Sequence, residues 1–216
     1  MTVRLAVLVS GSGTNLQAVL DAAREGRLHA EIAVVVSNRA AAKALERARD
    51  AGVEAQVLAH KEFASREAYD AALVALLRAR GVDLVVLAGF MRIVTPVLLE
   101  AFPDRVVNIH PSLLPAFPGL DAQQQAFAAG VAVSGCTVHL VDGGMDTGPI
   151  LAQAAVPVLA NDDVEALRTR ILAEEHRLLP EVLQWFAEGR VSLERVEGSS
   201  PRVSVEGRPR ARFGSS

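Results

Sequence analysis

Cysteine is nearly absent, with Cys136 the only one in 216 residues. A lone cysteine forms no intramolecular disulfide and builds no cysteine-based metal site, which suits a reducing compartment. Aromatic residues make up only 4 %, with one Trp and one Tyr, so the core must be aliphatic. Neither sign of charge dominates: 22 Lys and Arg stand against 25 Asp and Glu, for a net charge of -3. That argues against a broad surface for a phosphate backbone, so no nucleic-acid partner is expected, while a local basic pocket stays open. No apolar run approaches a membrane span, and the roughly seven apolar-rich residues before the first Gly/Ser run are too few for a signal-peptide core. The expectation is a soluble cytoplasmic protein, off the membrane, that acts on small molecules as a monomer or weak homodimer. Hydrophobic side chains are abundant, at 50 %, enough to bury a sizeable core.

Two kinds of segment alternate along the chain. β-Branched runs fall at residues 3–9, 32–36, 53–58, 83–87, 106–109, 137–141 and 151–158. Several are almost uninterrupted apolar runs, as strands buried on both faces require. Between them, helical spacing covers residues 15–25, 40–51, 61–80, 95–102, 121–129 and 162–188. This alternation predicts an α/β fold, a doubly wound and mostly parallel sheet, with ligands at the carboxyl ends of the strands. Pro180 is expected to kink or break the last helix. Beyond it, residues 191–196 and 203–205 alternate apolar and polar around Gly198-Ser199-Ser200-Pro201, which predicts a small peripheral hairpin. Residues 208–216 look like a frayed polar, Arg-bearing tail, with a functional basic arm as the alternative. The division expected is residues 1–190 for the main domain and 191–216 for hairpin and tail.

Five segments could carry chemistry. Ser10-Gly11-Ser12-Gly13-Thr14-Asn15 follows the first strand and opens a helix, where backbone N–H groups can receive an anion. Leu16 stands where a dinucleotide fingerprint needs glycine, and Ser37-Asn38-Arg39 offers no acid for a ribose, so a phosphomonoester fits better. The plain alternative is a Gly-rich turn. Asn108 and His110 lie two apart at a strand end and so share a face. An amide donor beside an imidazole suits acyl or formyl transfer, unless His110 merely ends the strand. Asp142-Gly143-Gly144-Met145-Asp146-Thr147-Gly148-Pro149 carries two carboxylates, either of which could orient His110 and favour its charged form, or serve only as a solvated turn. In the last helix the apolar stripe of Val164, Leu167, Ile171, Leu178, Val182 and Phe186 is interrupted at Glu174-Glu175. A core-facing carboxylate needs a partner, a substrate group or a salt bridge. Ala88-Gly89-Phe90-Met91-Arg92-Ile93-Val94 joins an apolar strip to one Arg, which suits a flat ligand with an acidic tail or an ordinary loop. His29, His60, His139 and His176 share no ligand spacing, and no metal is expected.

Taken in order, SGSGTNLQA, SNRA, SREAYD, VLAGFMRI, NIHPSLLP, DGGMDTGPI and EEHRLLP resemble the folate-dependent formyltransferases, and within them the phosphoribosylglycinamide formyltransferase branch. The resemblance covers nearly all of residues 3–190 and implies a Rossmann-like formyltransferase fold. It implies transfer of a formyl group from 10-formyltetrahydrofolate, as co-substrate, to the amine of 5'-phosphoribosylglycinamide in purine (IMP) biosynthesis. Asn108, His110 and Asp146 match the family's catalytic trio. Gly13, Thr14 and Asn15 match its phosphate loop, and Leu172, Ala173, Glu174 and Glu175 the site for the ribose and glycinamide end. Arg66, Met91, Arg92, Ile93, Val94, Asn108, Asp142, Gly143, Gly144, Met145 and Asp146 match its folate-contacting positions. Leu120-Asp121-Ala122-Gln123-Gln124-Gln125 departs from the family, which carries a His shortly after the Pro-Gly step. The alternative acceptors are methionyl-tRNA or an amino sugar, and a formyltetrahydrofolate hydrolase is a further alternative. The roughly 25 residues after Arg190 are expected to be too few for an RNA-contacting domain.

Overall fold

In the computed structural model of the chain, residues 2–194, 201–207 and 211–213 are described. The chain divides into two compact units, Met1–Asn108 and Ile109–Ser216, and the boundary falls inside a strand.

The first unit runs β1 (Val3–Val9), α1 (Thr14–Arg24), β2 (Ala30–Ser37), α2 (Ala44–Asp50), β3 (Ala55–Val57), a 3-10 turn at His60–Glu62, α3 (Arg66–Arg78), β4 (Leu84–Leu87), α4 (Pro96–Ala101) and the start of β5 (Val106–His110). β1 pairs with β2 and β4, β2 with β3 and β4 with β5, all in parallel. Parallel neighbours need crossovers, and the helical segments supply them. The chain winds outward from β1 to β3, then returns to β4 on the opposite side of β1. That reversal creates a switch point at the carboxyl ends of β1 and β4, where such folds receive ligands. The apolar runs behave as expected: Leu5, Val7, Leu8 and Val9 are fully buried, as are Val34, Val35 and Val36. Each such Val or Leu contributes roughly 1.5–3 kcal/mol of burial. Ser65 caps α3 by accepting the Ala68 N–H at 3.0 Å, and Pro96 opens α4 where its missing donor costs nothing. α2 starts at Ala44 rather than at 40, because Ser37 Oγ accepts the Arg39 N–H and donates to the Arg39 carbonyl, closing a turn there.

The second unit holds α5 (Ala122–Ala128), β6 (Val133–Leu140), β7 (Ile150–Pro157), α6 (Val164–Ala187), β8 (Val191–Glu194), β9 (Arg202–Val205) and β10 (Ala211–Phe213). β6 and β7 are antiparallel, β10 runs parallel to β7, and β8 and β9 form the expected hairpin. β6 begins at Val133, four residues before the predicted start, because its pairing continues to Pro157 of β7. Asp163 caps α6 through the Ala166 N–H at 2.7 Å. Pro180 does not break α6. Leu178, Leu179, Val182, Leu183, Trp185 and Phe186 are all buried around it, and their combined burial outweighs a proline's cost of about 3 kcal/mol. The tail departs from the frayed reading at 211–213, which pair with β7. Residues 195–200, with the end of the predicted strand at 195–196 and the predicted turn at 198–200, and residues 208–210 and 214–216 lie outside the described residues. Among the described residues no helix is long and apolar enough to cross a membrane.

Candidate active site

In the first unit the Gly-rich link between β1 and α1 is gripped from several sides. Gly13 caps α1 in the left-handed region, with φ 72°. A Cβ there would stand 2.5 Å from the Ala44 Cβ, so only glycine lets the loop lie this close to α2. The Gly11 carbonyl accepts the Ala44 N–H at 3.1 Å. Ser10 ties the loop to two other strand ends: its hydroxyl donates to Asn38 Oδ1 at 2.6 Å and accepts the Met91 N–H at 2.9 Å. Its N–H donates to the Gly89 carbonyl at 3.1 Å. Gly13, Thr14 and Asn15 therefore open onto the same switch point as the segment from Met91 to Val94. There Met91 and Ile93 are exposed at 58 % and 54 %, while Val94 is buried. The Arg92 guanidinium stacks 4.5 Å over the Tyr69 ring. Arg66 opens α3 and is exposed, and among the described residues it makes no hydrogen bond to another candidate. In the sequence, the bracing role of Ser10 and Asn38 is marked only by a polar residue following each apolar run.

In the second unit the imidazole of His110 is almost fully buried. Its Nε2 lies 2.9 Å from the Phe117 carbonyl. A carbonyl only accepts, so Nε2 carries the proton of that bond. Its Nδ1 faces Asp146 Oδ2 at 3.4 Å. A second imidazole, His139, holds its Nδ1 against the Leu140 carbonyl at 2.8 Å and turns Nε2 toward Asp146 Oδ1 at 3.7 Å. The Gly119 N–H donates to Asp146 Oδ2 at 2.8 Å. Burial pushes the Asp146 carboxyl up, but His139, the Gly119 N–H and the charge attraction of His110 outweigh it and hold the carboxyl below its ordinary 3.8. Both rings thus spend one nitrogen on a backbone carbonyl and present the other to a single carboxylate. That carboxylate is placed to hold an imidazolium whenever one forms.

The loop from Pro111 to Pro118 is braced rather than free. Thr137 Oγ1 donates to the Ser112 carbonyl at 2.7 Å and accepts the Leu114 N–H at 3.0 Å. Gln153 Nε2 reaches the Leu114 carbonyl at 2.8 Å. Leu114–Pro115 is a cis bond. The first Asp of the Gly-rich loop has another job than orienting His110: Asp142 Oδ1 accepts the Gly144 N–H at 3.0 Å and the Thr147 hydroxyl at 2.7 Å, closing a turn. Gly143, Gly144 and Met145 ride on its exposed side. On α6, Glu175 is 5 % exposed and occupies the gap in the apolar stripe. Its charge, after burial itself, helps push the Cys136 thiol up. Glu174 turns the other way and pairs with Arg177 at 2.8 Å, while Leu172 is half-buried and Ala173 exposed. His139, Thr137 and Gln153 were missed in the sequence.

A Gly-rich loop at the switch point of a doubly wound sheet, and an imidazole–carboxylate pair at a strand end, are of the kind that α/β proteins of the group-transfer class use. The formyl transferase family matches residues 3–183, and the chain belongs to it. The chain is 43 % identical to phosphoribosylglycinamide formyltransferase of Escherichia coli over 189 residues, 88 % of this chain and 89 % of that protein. It is 48 % identical to the trifunctional purine biosynthetic protein adenosine-3 of Drosophila melanogaster over 205 residues, 94 % of this chain but only 15 % of that longer protein. Among solved structures, glycinamide ribonucleotide transformylase 1 from Symbiobacterium toebii is similar at 59 % identity and a TM-score of 0.89, covering 94 % of each chain. The mostly parallel, doubly wound α/β fold with a small antiparallel C-terminal hairpin is the fold of these relatives.

Proposed function

We propose that the chain transfers a formyl group from 10-formyltetrahydrofolate to the amine of 5'-phosphoribosylglycinamide, in de novo purine biosynthesis. The observation that carries this is the carboxylate of Asp146 against His110, in a member of the formyl transferase family whose anion loop suits a phosphomonoester. Gly13, Thr14 and Asn15 receive the substrate phosphate through backbone N–H groups. Glu175, with Leu172, Ala173 and Glu174 beside it, serves the ribose and glycinamide end. Met91, Arg92, Ile93, Val94 and the loop from Asp142 to Asp146 wall the folate, whose acidic tail meets Arg66 and Arg92. Residues 1–190 do this work and 191–216 are an appendage. The setting is the cytoplasm, with no metal in the reaction.

The amine nitrogen attacks the formyl carbon and a tetrahedral intermediate forms. Asn108 and the imidazolium of His110 stabilise its oxygen. The C–N bond to the folate then breaks, the folate nitrogen takes up the proton of His110 Nε2, which leaves the Phe117 carbonyl to deliver it, and the proton lost by the amine returns to His110 through water. Asp146 compensates the ring's charge throughout.

The test is the absorbance change on deformylation of 10-formylfolate, with and without phosphoribosylglycinamide. Product only in the presence of the amine is the expected result. Deformylation without it would make the protein a hydrolase, and no reaction in either case would overturn the proposal. Gly13→Ala forces a side chain into Ala44 and a left-handed backbone, a strain of about 1–3 kcal/mol. It is expected to raise KM for the phosphorylated amine and to leave KM for the folate unchanged, read from initial rates.

A further inference from the structure

Arg47 has no place in the function described so far. It sits on α2, and its guanidinium reaches back across the chain to the anion loop. Nε donates to the Ser12 carbonyl at 2.9 Å, and Nη1 donates to Gln17 Oε1 at 3.1 Å. Gln17 lies in the first turn of α1, and its own Nε2 reaches Asp21 Oδ1 at 3.2 Å. One planar fork therefore ties the loop to the helix it opens. α2 adds two further contacts to the same loop, the Ala44 N–H on the Gly11 carbonyl and the Ala44 side chain against Gly13.

The geometry has a direct consequence for the loop. In a trans peptide the C=O and the N–H point in opposite directions. The Gly11 and Ser12 carbonyls are both engaged from α2, so the N–H groups of Ser12 and Gly13 in those same peptides are turned away from α2. A loop with such an orientation imposed on it needs no rearrangement when an anion arrives. Without the outer brace, the Ser12–Gly13 peptide is free to flip and present its carbonyl, which repels a phosphate.

We propose that Arg47 is a positioning residue for phosphate binding: its fork on the Ser12 carbonyl and Gln17 fixes the peptide planes of the anion loop so that their N–H groups face the substrate phosphate. This rests on the function proposed above. A lysine keeps the charge but is a single point donor, not a fork that satisfies two acceptors in one plane. Charge and geometry can therefore be separated.

The experiment compares wild type, Arg47→Met and Arg47→Lys. The quantities are kcat, KM for the phosphorylated amine, KM for the formyl donor, and the competitive inhibition constant of inorganic phosphate. Losing a charge-assisted hydrogen bond is expected to raise the amine KM and the phosphate inhibition constant about tenfold in Arg47→Met, with kcat and donor KM unchanged. Arg47→Lys is expected to behave as Arg47→Met does. An unchanged amine KM in folded Arg47→Met overturns the proposal. Full recovery in Arg47→Lys also overturns it, since charge alone would then suffice, as does a fall in kcat with both KM values rising together. If Arg47→Met does not fold, Gln17→Leu removes one arm of the fork and is expected to move the same two constants. If the wild type turns over no phosphorylated amine, the function fails, and a phosphate dissociation constant from calorimetry still decides whether Arg47 positions the loop.

Discussion

Replacing His110 with alanine is expected to lower kcat by roughly 10²–10³-fold or more, the range for losing one oxyanion donor. Two functions are lost at once, the positive donor toward the tetrahedral oxygen and the acid for the departing nitrogen. The loss should appear equally in kcat and kcat/KM, because neither interaction exists before the transition state. A packing effect would look different. His110 is 5 % exposed and donates to the Phe117 carbonyl, so alanine also leaves that carbonyl with only the longer 3.3 Å bond from the Ser112 hydroxyl, and a void. His110→Gln keeps a donor near that carbonyl and most of the volume but supplies no acid. It is expected to recover stability, read as the urea midpoint, and to recover little turnover. Near-normal kcat in either variant would remove His110 from the chemistry. Asn108→Ala, one side chain along the same face of β5, is expected to fall in the same range.

Asp146→Asn is expected to be nearly as damaging, at roughly 10²–10⁴-fold in kcat, without disturbing the shape of the site. The amide oxygen can still accept the Gly119 N–H. Its NH2 can face the nitrogen that His139 presents, whose other nitrogen is already committed to the Leu140 carbonyl. The hydrogen bonds therefore survive and only the charge is lost. An imidazolium forming on His110 then has no counter-charge in a buried setting, which is costly. Stability should separate the two residues' roles. The folded carboxyl is held below 3.8, so its contribution to stability is full above that value and is lost as pH falls through the lowered one. Asp146→Asn lacks this dependence, and the gap between wild type and variant in urea midpoint should narrow from pH 7 toward pH 3. A variant with normal kcat and the same acid sensitivity as wild type would show that the pair is only structural.

β1, β2 and β4 were legible because each is largely an apolar run buried on both faces, a pattern that helices and loops do not share, whereas β3 is short and has no buried residue. Glu175 was legible by its wrongness, as a carboxylate in an apolar stripe. His139 was not. Residues Ser134 to Leu140 of β6 are all buried, so no contrast between a wet and a dry face marks one position as different. Arg47 was equally silent, because its meaning depends on α2 docking onto a loop 35 residues earlier. The prolines misled in one place. Pro180 breaks a helix in isolation, but tertiary packing overrode the local rule. The exposed 142–147 loop looked like two equivalent acids, and only folding assigned Asp142 to the turn and Asp146 to the interior.

The burial of Cys136 gives the protein a practical property. Its side chain is fully out of reach of solvent, and burial together with the nearby charges of Glu175 and Glu174 pushes the thiol up, so it stays protonated and unreactive toward alkylating reagents at neutral pH. Any cysteine added to the surface would then be the sole point of covalent labelling. Leu120 is 75 % exposed and adjoins Gly119, whose N–H holds Asp146. A fluorophore attached through Leu120→Cys would report on that segment as ligands arrive, with no need to remove the native thiol first.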